Sequence, residues 1–192
     1  MRHRYPQPGT FQRTAFLLVL AVLIVAAIVA VNNKPLFPTL STPQAQAGRS
    51  SLRAHVVRVY DGDTIKLSNG EKVRFIGIDA PELHDNPKLL RDAKKSGMDI
   101  ETIKRMGARS YEYARGLLAD RDVRLEFDTQ PRDKYGRLLA YVYVDDGTFV
   151  NEEIIKNGYA YPMTIRPNTR HATEFRSLFE QAQENKLGLW SK

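Results

Sequence analysis

The predicted fold is built around the stretch from Val56 to Glu82, VVRVYDGDTIKLSNGEKVRFIGIDAPE. This stretch contains three runs that are rich in β-branched and aromatic residues, which favour strands. The turns between them carry Asp61-Gly62 and Asn69-Gly70, and Asn-Gly is a strong hairpin signal because both residues accept positive φ. The predicted strands are Arg53–Tyr60, Thr64–Leu67 and Lys72–Ile78.

Charged residues cluster at the ends of these strands. Four are acidic and one is a guanidinium within the third strand: Asp61, Asp63, Asp79, Glu82 and Arg74. Carboxylate and carbonyl oxygens select hard cations such as Ca²⁺, Mg²⁺ or Mn²⁺, and an arginine fork can bind two phosphate oxygens. Taken singly, each motif is an ordinary turn, helix start or solvated arginine. Taken together, they predict a hard-cation site that faces a phosphate.

The rest of the chain alternates short strands with helices. We predict a polar loop at His84–Asp99, and a short helix that Asn151 caps and Gly158 ends. The other predicted elements are helices at 100–118 and 173–186 and strands at 122–128 and 138–144. About five strands and three helices without a repeated βαβ unit favour an α+β OB-fold, a five-stranded, partly open barrel with helices packed on it.

Composition excludes some classes of site but leaves the partner open. There is no cysteine, so disulfide frameworks and thiolate metal or redox sites are excluded. The net charge is +7, but residues 1–48 hold four of the basic residues and no acidic one. The remaining 25 basic and 22 acidic residues make the folded part only mildly basic. Bulk charge is therefore weak support for a polyanionic partner.

Residues 15–31 form an uncharged apolar run, AFLLVLAVLIVAAIVAV. A helix of this length rises about 1.5 Å per residue and spans roughly 25 Å, near the short limit for a bilayer core. Three arginines precede the run, at positions 2, 4 and 13. The positive-inside rule then places residues 1–14 in the cytoplasm and everything after residue 31 outside. We therefore predict a transmembrane signal-anchor with an exported domain.

A cleaved signal peptide is the competing interpretation. Its apolar core usually has roughly 7–15 residues, and Ala45-Gln46-Ala47 has the form of a cleavage site but lies far from the apolar run. A buried soluble helix is disfavoured because this run is apolar on every face. Residues 32–50 are rich in proline and small polar residues, which predicts a flexible linker before a folded domain at 51–192.

A second arginine follows in the segment Asp133-Lys134-Tyr135-Gly136-Arg137. The segment could be an ordinary hairpin connection, or it could supply a guanidinium and an aromatic ring to a phosphate clamp. With this segment the domain resembles the thermonuclease family, typified by staphylococcal nuclease, over about residues 53–191. The matching stretches are VYDGDTIK (59–66), VRFIGIDAPE (73–82), DKYGRLLAYVY (133–143), VNEEIIKNG (150–158), Arg166-Pro167-Asn168 with His171, and GLWS (188–191).

The resemblance implies a thermonuclease-like OB-fold domain at 51–192 that hydrolyses DNA and RNA with Ca²⁺, leaving 5′-hydroxyl and 3′-phosphate ends. By position, Asp63 and Asp79 would be Ca²⁺ ligands, together with the backbone carbonyl of Ala80. Glu82 matches the position of the family's proposed general base, which either abstracts a proton from water or orients the water molecule. Asp61 would support the metal ligands without binding the metal itself.

The resemblance also implies the substrate contacts. Arg74 and Arg137 fall on phosphate-binding arginines, and Tyr135 and Lys134 on substrate-binding positions. One departure is that Met163 and Ile165 stand where the prototype has two tyrosines of the nucleotide pocket, so the resemblance implies the phosphate chemistry but not the base pocket. The predicted partners are DNA, RNA and, through the N-terminal helix, a membrane, and the protein is predicted to be a monomer. A non-catalytic OB domain that binds nucleic acid and a purely structural calcium site are the alternatives.

Overall fold

A computed structural model of the protein describes residues 51–191. The predicted cytoplasmic segment at 1–14, the signal-anchor at 15–31 and the linker at 32–50 lie outside the described residues, so they stay predictions. Within 51–191, no helix combines the length and the apolar character that crossing a membrane requires.

The architecture is a small barrel with helices packed around it. Five strands form the barrel: β1 (Ser51–Asp61), β2 (Thr64–Leu67), β3 (Lys72–Phe75), β5 (Asp122–Glu126) and β6 (Leu138–Val144). Two further strands, β4 (Gly77–Asp79) and β7 (Tyr161–Met163), form a separate antiparallel pair. The helices are α1 (Pro87–Ser96), α2 (Ile100–Leu118), α3 (Val150–Lys156) and α4 (Ala172–Glu184), followed by a 3₁₀ turn at Gly188–Trp190.

The long first strand closes the barrel. Its first half, residues 51–55, pairs with β5, and its second half, from Val56, pairs with β2. The strand order is β1-β2-β3-β6-β5, with a parallel pair between β3 and β6. The predicted α+β OB-fold is confirmed, but the barrel is closed, not partly open, because one strand serves both edges. Its interior is apolar, with Ile65, Val73 and Leu125 fully buried.

The predicted strand Lys72–Ile78 is in fact two strands that belong to different sheets. Gly77 has a φ of +85°, a conformation that residues with a Cβ rarely adopt, and it breaks the strand after Phe75. A Cβ on Gly77 would also lie 2.6 Å from the ring of Phe175. The chain therefore leaves the barrel at this point, and Asp79 lies on the small sheet while Arg74 stays in the barrel.

The loop predicted at His84–Asp99 is wrong, because most of it is helix α1. Asn86 caps the helix, since its side chain accepts a hydrogen bond from the backbone N–H of Leu89 at 2.9 Å. Pro87 occupies the first turn and Gly97 ends the helix in the left-handed region, the usual arrangement of these residues. The chain thus has four α-helices in the described residues, one more than predicted.

The predicted role of Asn151 as a helix cap is also wrong. Helix α3 begins at Val150 after Phe149, and Asn151 is completely buried within its first turn. The side chain accepts a hydrogen bond from the N–H of Val142 at 2.9 Å and donates one to the carbonyl of Ile76 at 2.9 Å. Asn151 therefore joins α3 to β6 and to the break between β3 and β4.

Candidate active site

The turn between β1 and β2 carries two of the predicted acids. The carboxylate of Asp61 accepts a hydrogen bond from the backbone N–H of Asp63 at 3.0 Å, which shapes the turn. A Cβ on Gly62 would lie 2.7 Å from the Cβ of Ala80 and 2.8 Å from that of Ser110 on α2. Because glycine allows this close approach, the turn packs directly against the loop that carries Ala80.

Asp63 is tied to that loop by its carboxylate. Its Oδ2 atom accepts a hydrogen bond from the N–H of Ala80 at 2.6 Å, and Oδ1 accepts one from the hydroxyl of Thr64 at 3.0 Å. The side chain is almost completely buried. Asp63 and Ala80 are 17 positions apart in the chain, so tertiary packing alone brings these two predicted metal ligands together.

Arg74 bridges the two predicted carboxylate ligands. Its Nη1 atom lies 2.9 Å from Oδ1 of Asp63, and its Nη2 atom lies 2.7 Å from Oδ1 of Asp79. Nη1 also donates to the carbonyl of Ile78 at 2.9 Å. Arg74 is only 8% exposed. One guanidinium therefore holds an acid from the barrel and an acid from the small sheet on either side of itself.

The surroundings of Asp63 and Asp79 disfavour the ionised forms of both side chains unless further positive charge is added. Burial raises the pKa of Asp63, and the charge of Arg74 only partly opposes this effect. Burial likewise raises the pKa of Asp79, again against the opposing charge of Arg74. A cation placed between the two acids would supply the missing charge and favour their ionised forms.

Glu82 is held by two residues at the start of α1. The amide Nδ2 of Asn86 donates to Oε2 of Glu82 at 2.6 Å, and the ammonium of Lys88 lies 2.9 Å from Oε1. The same ammonium lies 3.2 Å from Oδ2 of Asp79 and 2.9 Å from Oδ2 of Asp92. Burial lowers the pKa of Lys88, but these carboxylates outweigh it and raise the pKa above its ordinary value.

Arg137 lies in the loop before β6 and lines the same cavity as Glu82. Asp133 holds it, because Nε of Arg137 donates to the Asp133 carboxylate at 2.7 Å. Tyr135 is 73% exposed, and the charged ends of Lys134 and Arg137 lie 5.0 and 5.8 Å from the centre of its ring. The loop therefore presents an aromatic face and two cations to solvent.

Two neighbouring cavities join these groups. One, of about 420 Å³, is lined by the acids Asp61, Asp63, Asp79 and Glu82, with Arg74, Lys88 and Arg137. The other, of about 340 Å³, is lined by Arg74, Lys134, Tyr135, Arg137, Met163 and Ile165. Arg74, Arg137 and Met163 line both cavities. Every residue of the predicted site therefore lines one of two cavities that share three residues; the acids line the first cavity and Tyr135 lines the second.

Comparison with known proteins shows to which protein family the chain is related. Residues 72–192, well over half of the chain, match the family model described as Staphylococcal nuclease homologue. The chain belongs to the staphylococcal nuclease family. The match includes Arg74, Asp79, Glu82 and Arg137 but begins after Asp63.

Two staphylococcal thermonucleases and a Bacillus endonuclease are among the similar members of this family. The thermonuclease of Staphylococcus hyicus is 33% identical over 176 residues, which cover 88% of this chain and 95% of the relative. The thermonuclease of Staphylococcus intermedius is 33% identical over 183 residues, covering 93% and 98%. The endonuclease YncB of Bacillus subtilis is 36% identical over 156 residues, covering 79% and 67%.

The donor atoms at this site of the nuclease-family fold suit a hard cation. In residues 51–191 no three Asp, Glu, His or Cys side chains gather closely enough to form a metal cage by themselves. Asp63 and Asp79 lie on either side of Arg74, and Oδ2 of Asp63 and both carboxylate oxygens of Asp79 each keep a lone pair beyond the contacts described. Two carboxylates completed by a backbone carbonyl and water form an ordinary Ca²⁺ or Mg²⁺ site. The residues present therefore fit such an ion.

Three contributors to this site were missed from the sequence: Asn86, Lys88 and Asp92. The sequence contains the signal that could have found them. Asn86-Pro87 is a helix start, and Lys88 and Asp92 have the i,i+4 spacing of an ion pair on one helix face. The predicted loop at 84–99 omits this helix and, with it, the ammonium group of Lys88 that contacts Glu82.

Proposed function

We propose that this protein is a Ca²⁺-dependent nuclease that hydrolyses phosphodiester bonds of DNA and RNA. One observation carries the proposal: Arg74, Arg137 and Glu82 line a single cavity together with the paired carboxylates Asp63 and Asp79. Two guanidiniums can bind a phosphodiester, and a carboxylate beside them can act on a water molecule. The names of the thermonuclease and endonuclease relatives support the same chemistry.

The proposed reaction is an attack of water on phosphorus with loss of the 5′ oxygen. Bound Ca²⁺, held by Asp63, Asp79 and the carbonyl of Ala80, would supply positive charge next to the phosphate. Glu82 either takes a proton from the attacking water molecule or orients that water molecule. Arg137 binds the phosphoryl oxygens with its terminal nitrogens, since its described side-chain hydrogen bond uses Nε. The P–O5′ bond breaks, the 5′ oxygen takes a proton from a solvent water, and Glu82 returns any proton it has taken to solvent, so the products are 5′-hydroxyl and 3′-phosphate ends.

Arg74 has to change partners in this reaction. Its two terminal nitrogens bind Asp63 and Asp79 in the described structure. A cation between the two acids would take over the neutralisation that Arg74 provides and so release guanidinium donors for the phosphate. Tyr135 and Lys134 are proposed to contact the nucleotide beyond the phosphate, because they line the neighbouring cavity.

We further propose that the enzyme works outside the cytoplasm as a monomer, anchored by residues 15–31. The three arginines before the apolar run support this orientation. Cleavage after the run would instead release the enzyme. Both outcomes bring the domain to a compartment where calcium is abundant.

The deciding experiment measures cleavage and end chemistry with purified protein. Supercoiled plasmid and a structured RNA are incubated with Ca²⁺, with Mg²⁺, or with chelator, and the new ends are tested by polynucleotide kinase labelling before and after phosphatase treatment. We expect cleavage of both substrates only with Ca²⁺, and 5′ ends that accept label without phosphatase. Full activity in chelator, or 5′-phosphate ends, would contradict the proposal. Binding without cleavage would favour the non-catalytic OB domain.

A further inference from the structure

Helix α1 carries an ammonium group into the carboxylate cluster. Lys88 lies in its first turn, and its side chain is 30% exposed. Its Nζ atom lies 2.9 Å from Glu82, 3.2 Å from Asp79 and 2.9 Å from Asp92. Lys94 on the same helix is exposed instead. Lys88 is thus the lysine of α1 that contacts both the proposed general base, Glu82, and a proposed metal ligand, Asp79.

Lys88 contacts one carboxylate oxygen of each of these two acids. Asp79 uses Oδ1 for Arg74 and Oδ2 for Lys88. Glu82 uses Oε1 for Lys88 and Oε2 for Asn86. Lys88 therefore bridges two carboxylates, and its single positive charge partly neutralises them, as a bound cation would.

We propose that Lys88 is an internal counter-cation of the site: it holds Asp79 and Glu82 together before a divalent cation binds, and it opposes that binding. This inference rests on the proposed Ca²⁺ site. A divalent ion that approaches Asp79 meets the ammonium charge a few ångströms away, and like charges at such distances repel strongly where water is partly excluded. Lys88 thereby sets the cation affinity of the enzyme.

Asp92 provides an alternative ion-pair partner for the Lys88 ammonium when a cation displaces it from Asp79. It lies four residues after Lys88 on α1, and its carboxylate is an additional partner at 2.9 Å. Lys88 can therefore lose Asp79 and keep an ion pair on its own helix. Without Asp92, the ammonium would have only Asp79 and Glu82 as carboxylate partners among those described, and the divalent ion would compete less well.

The test is direct calorimetric titration of the full-length protein with Ca²⁺ in the absence of nucleic acid. Lys88→Met keeps the length of the side chain and removes its charge, so we expect Ca²⁺ to bind about tenfold more tightly, a difference of about 1.4 kcal/mol. Lys88→Arg and the exposed control Lys94→Met should keep the wild-type affinity. Asp92→Asn should shift the affinity the other way, to weaker binding, and it tests the inference even if Lys88→Met fails to fold.

The outcomes separate this inference from the proposed function. Binding to wild type with the same or lower affinity in Lys88→Met overturns the role of Lys88 and leaves the proposed Ca²⁺ site standing. Binding to Lys88→Met but not to wild type supports the inference. Absence of binding to both proteins overturns the inference and the proposed metal site together. A lower melting temperature of metal-free Lys88→Met, absent in Lys94→Met, is the second expected result.

Discussion

Glu82 illustrates how one residue depends on its neighbours in space. Both of its carboxylate oxygens have partners on the segment that follows it, Asn86 and Lys88. These two contacts fix the direction of the carboxylate within the cavity that Arg74 and Arg137 also line. A group positioned in this way can act on one water molecule reproducibly, which is what general base catalysis requires.

Changing Glu82 to Gln should remove the proposed proton acceptor while preserving the shape of the side chain. We expect Glu82→Gln to lower kcat roughly 100- to 10,000-fold, the usual contribution of a general base, with little change in melting temperature. Steady-state cleavage of a fluorescent oligonucleotide and thermal melting by circular dichroism measure the two quantities. Glu112→Gln is the control, because Glu112 is exposed on α2 and pairs with Arg115. Near-normal turnover in Glu82→Gln would remove this residue from the mechanism.

At the scale of elements, helix α2 supports the loop that carries Glu82. A Cβ on Gly107 would lie 2.5 Å from the carbonyl oxygen of Glu82 and 2.8 Å from the backbone nitrogen of Leu83. These are backbone atoms, so they cannot rotate away as the end of a side chain can. Because Gly107 has no side chain, the backbone at Glu82 can pack directly against helix α2.

A matched pair of glycine substitutions on α2 tests this support. Gly107→Ala should displace the Glu82 backbone, lower cleavage activity and reduce the free energy of unfolding by about 1–3 kcal/mol, as overpacking does. Gly116→Ala meets no atom within 4 Å, so it should stabilise the helix by about 0.5–1 kcal/mol and leave activity unchanged. Urea denaturation and cleavage rates measure both variants. Equal behaviour of the two would show that α2 does not position the loop.

At the scale of the whole molecule, the barrel is closed where β1 passes from β5 to β2. His55 lies at this point and pairs with Asp122 in the strand register. Its ring nitrogens lie 2.8 Å from the carboxylate of Asp122 and 3.0 Å from that of Asp120. The hydrogen bonds to Asp122 and then to Asp120 raise the pKa of His55 above its ordinary value. A protonated His55 therefore stabilises the closed barrel.

The sign of this effect gives a pH prediction. Because the folded-state pKa is raised, the contribution is complete below the unfolded-state pKa of about 6.5 and disappears as pH rises through the folded-state value. The difference in urea midpoint between wild type and His55→Gln should be larger at about pH 5.5 than at about pH 9. Taking the difference cancels the titration of other groups. A difference that stays constant with pH would show that His55 does not contribute through its charge.

Local sequence was sufficient for most of the fold. The β-branched runs and the Asn69-Gly70 turn predicted β1 and β2 close to their observed bounds, since strand propensity and hairpin chemistry depend on adjacent residues. The break of the third strand was not predicted. Gly77 adopts its positive φ where Phe175, almost a hundred residues later, packs against it, and no local pattern carries that contact.

The candidate site divides in the same way. The acids at the strand ends and the arginines in 72–78 and 133–137 could be predicted from the sequence, because motif spacing is a local property. The position of Arg74 between Asp63 and Asp79, and the contacts of Lys88 and Asn86 with Glu82, depend on the three-dimensional fold. The reason is physical: ion pairs act through space over a few ångströms, and the folding of α1 and the two sheets sets those distances.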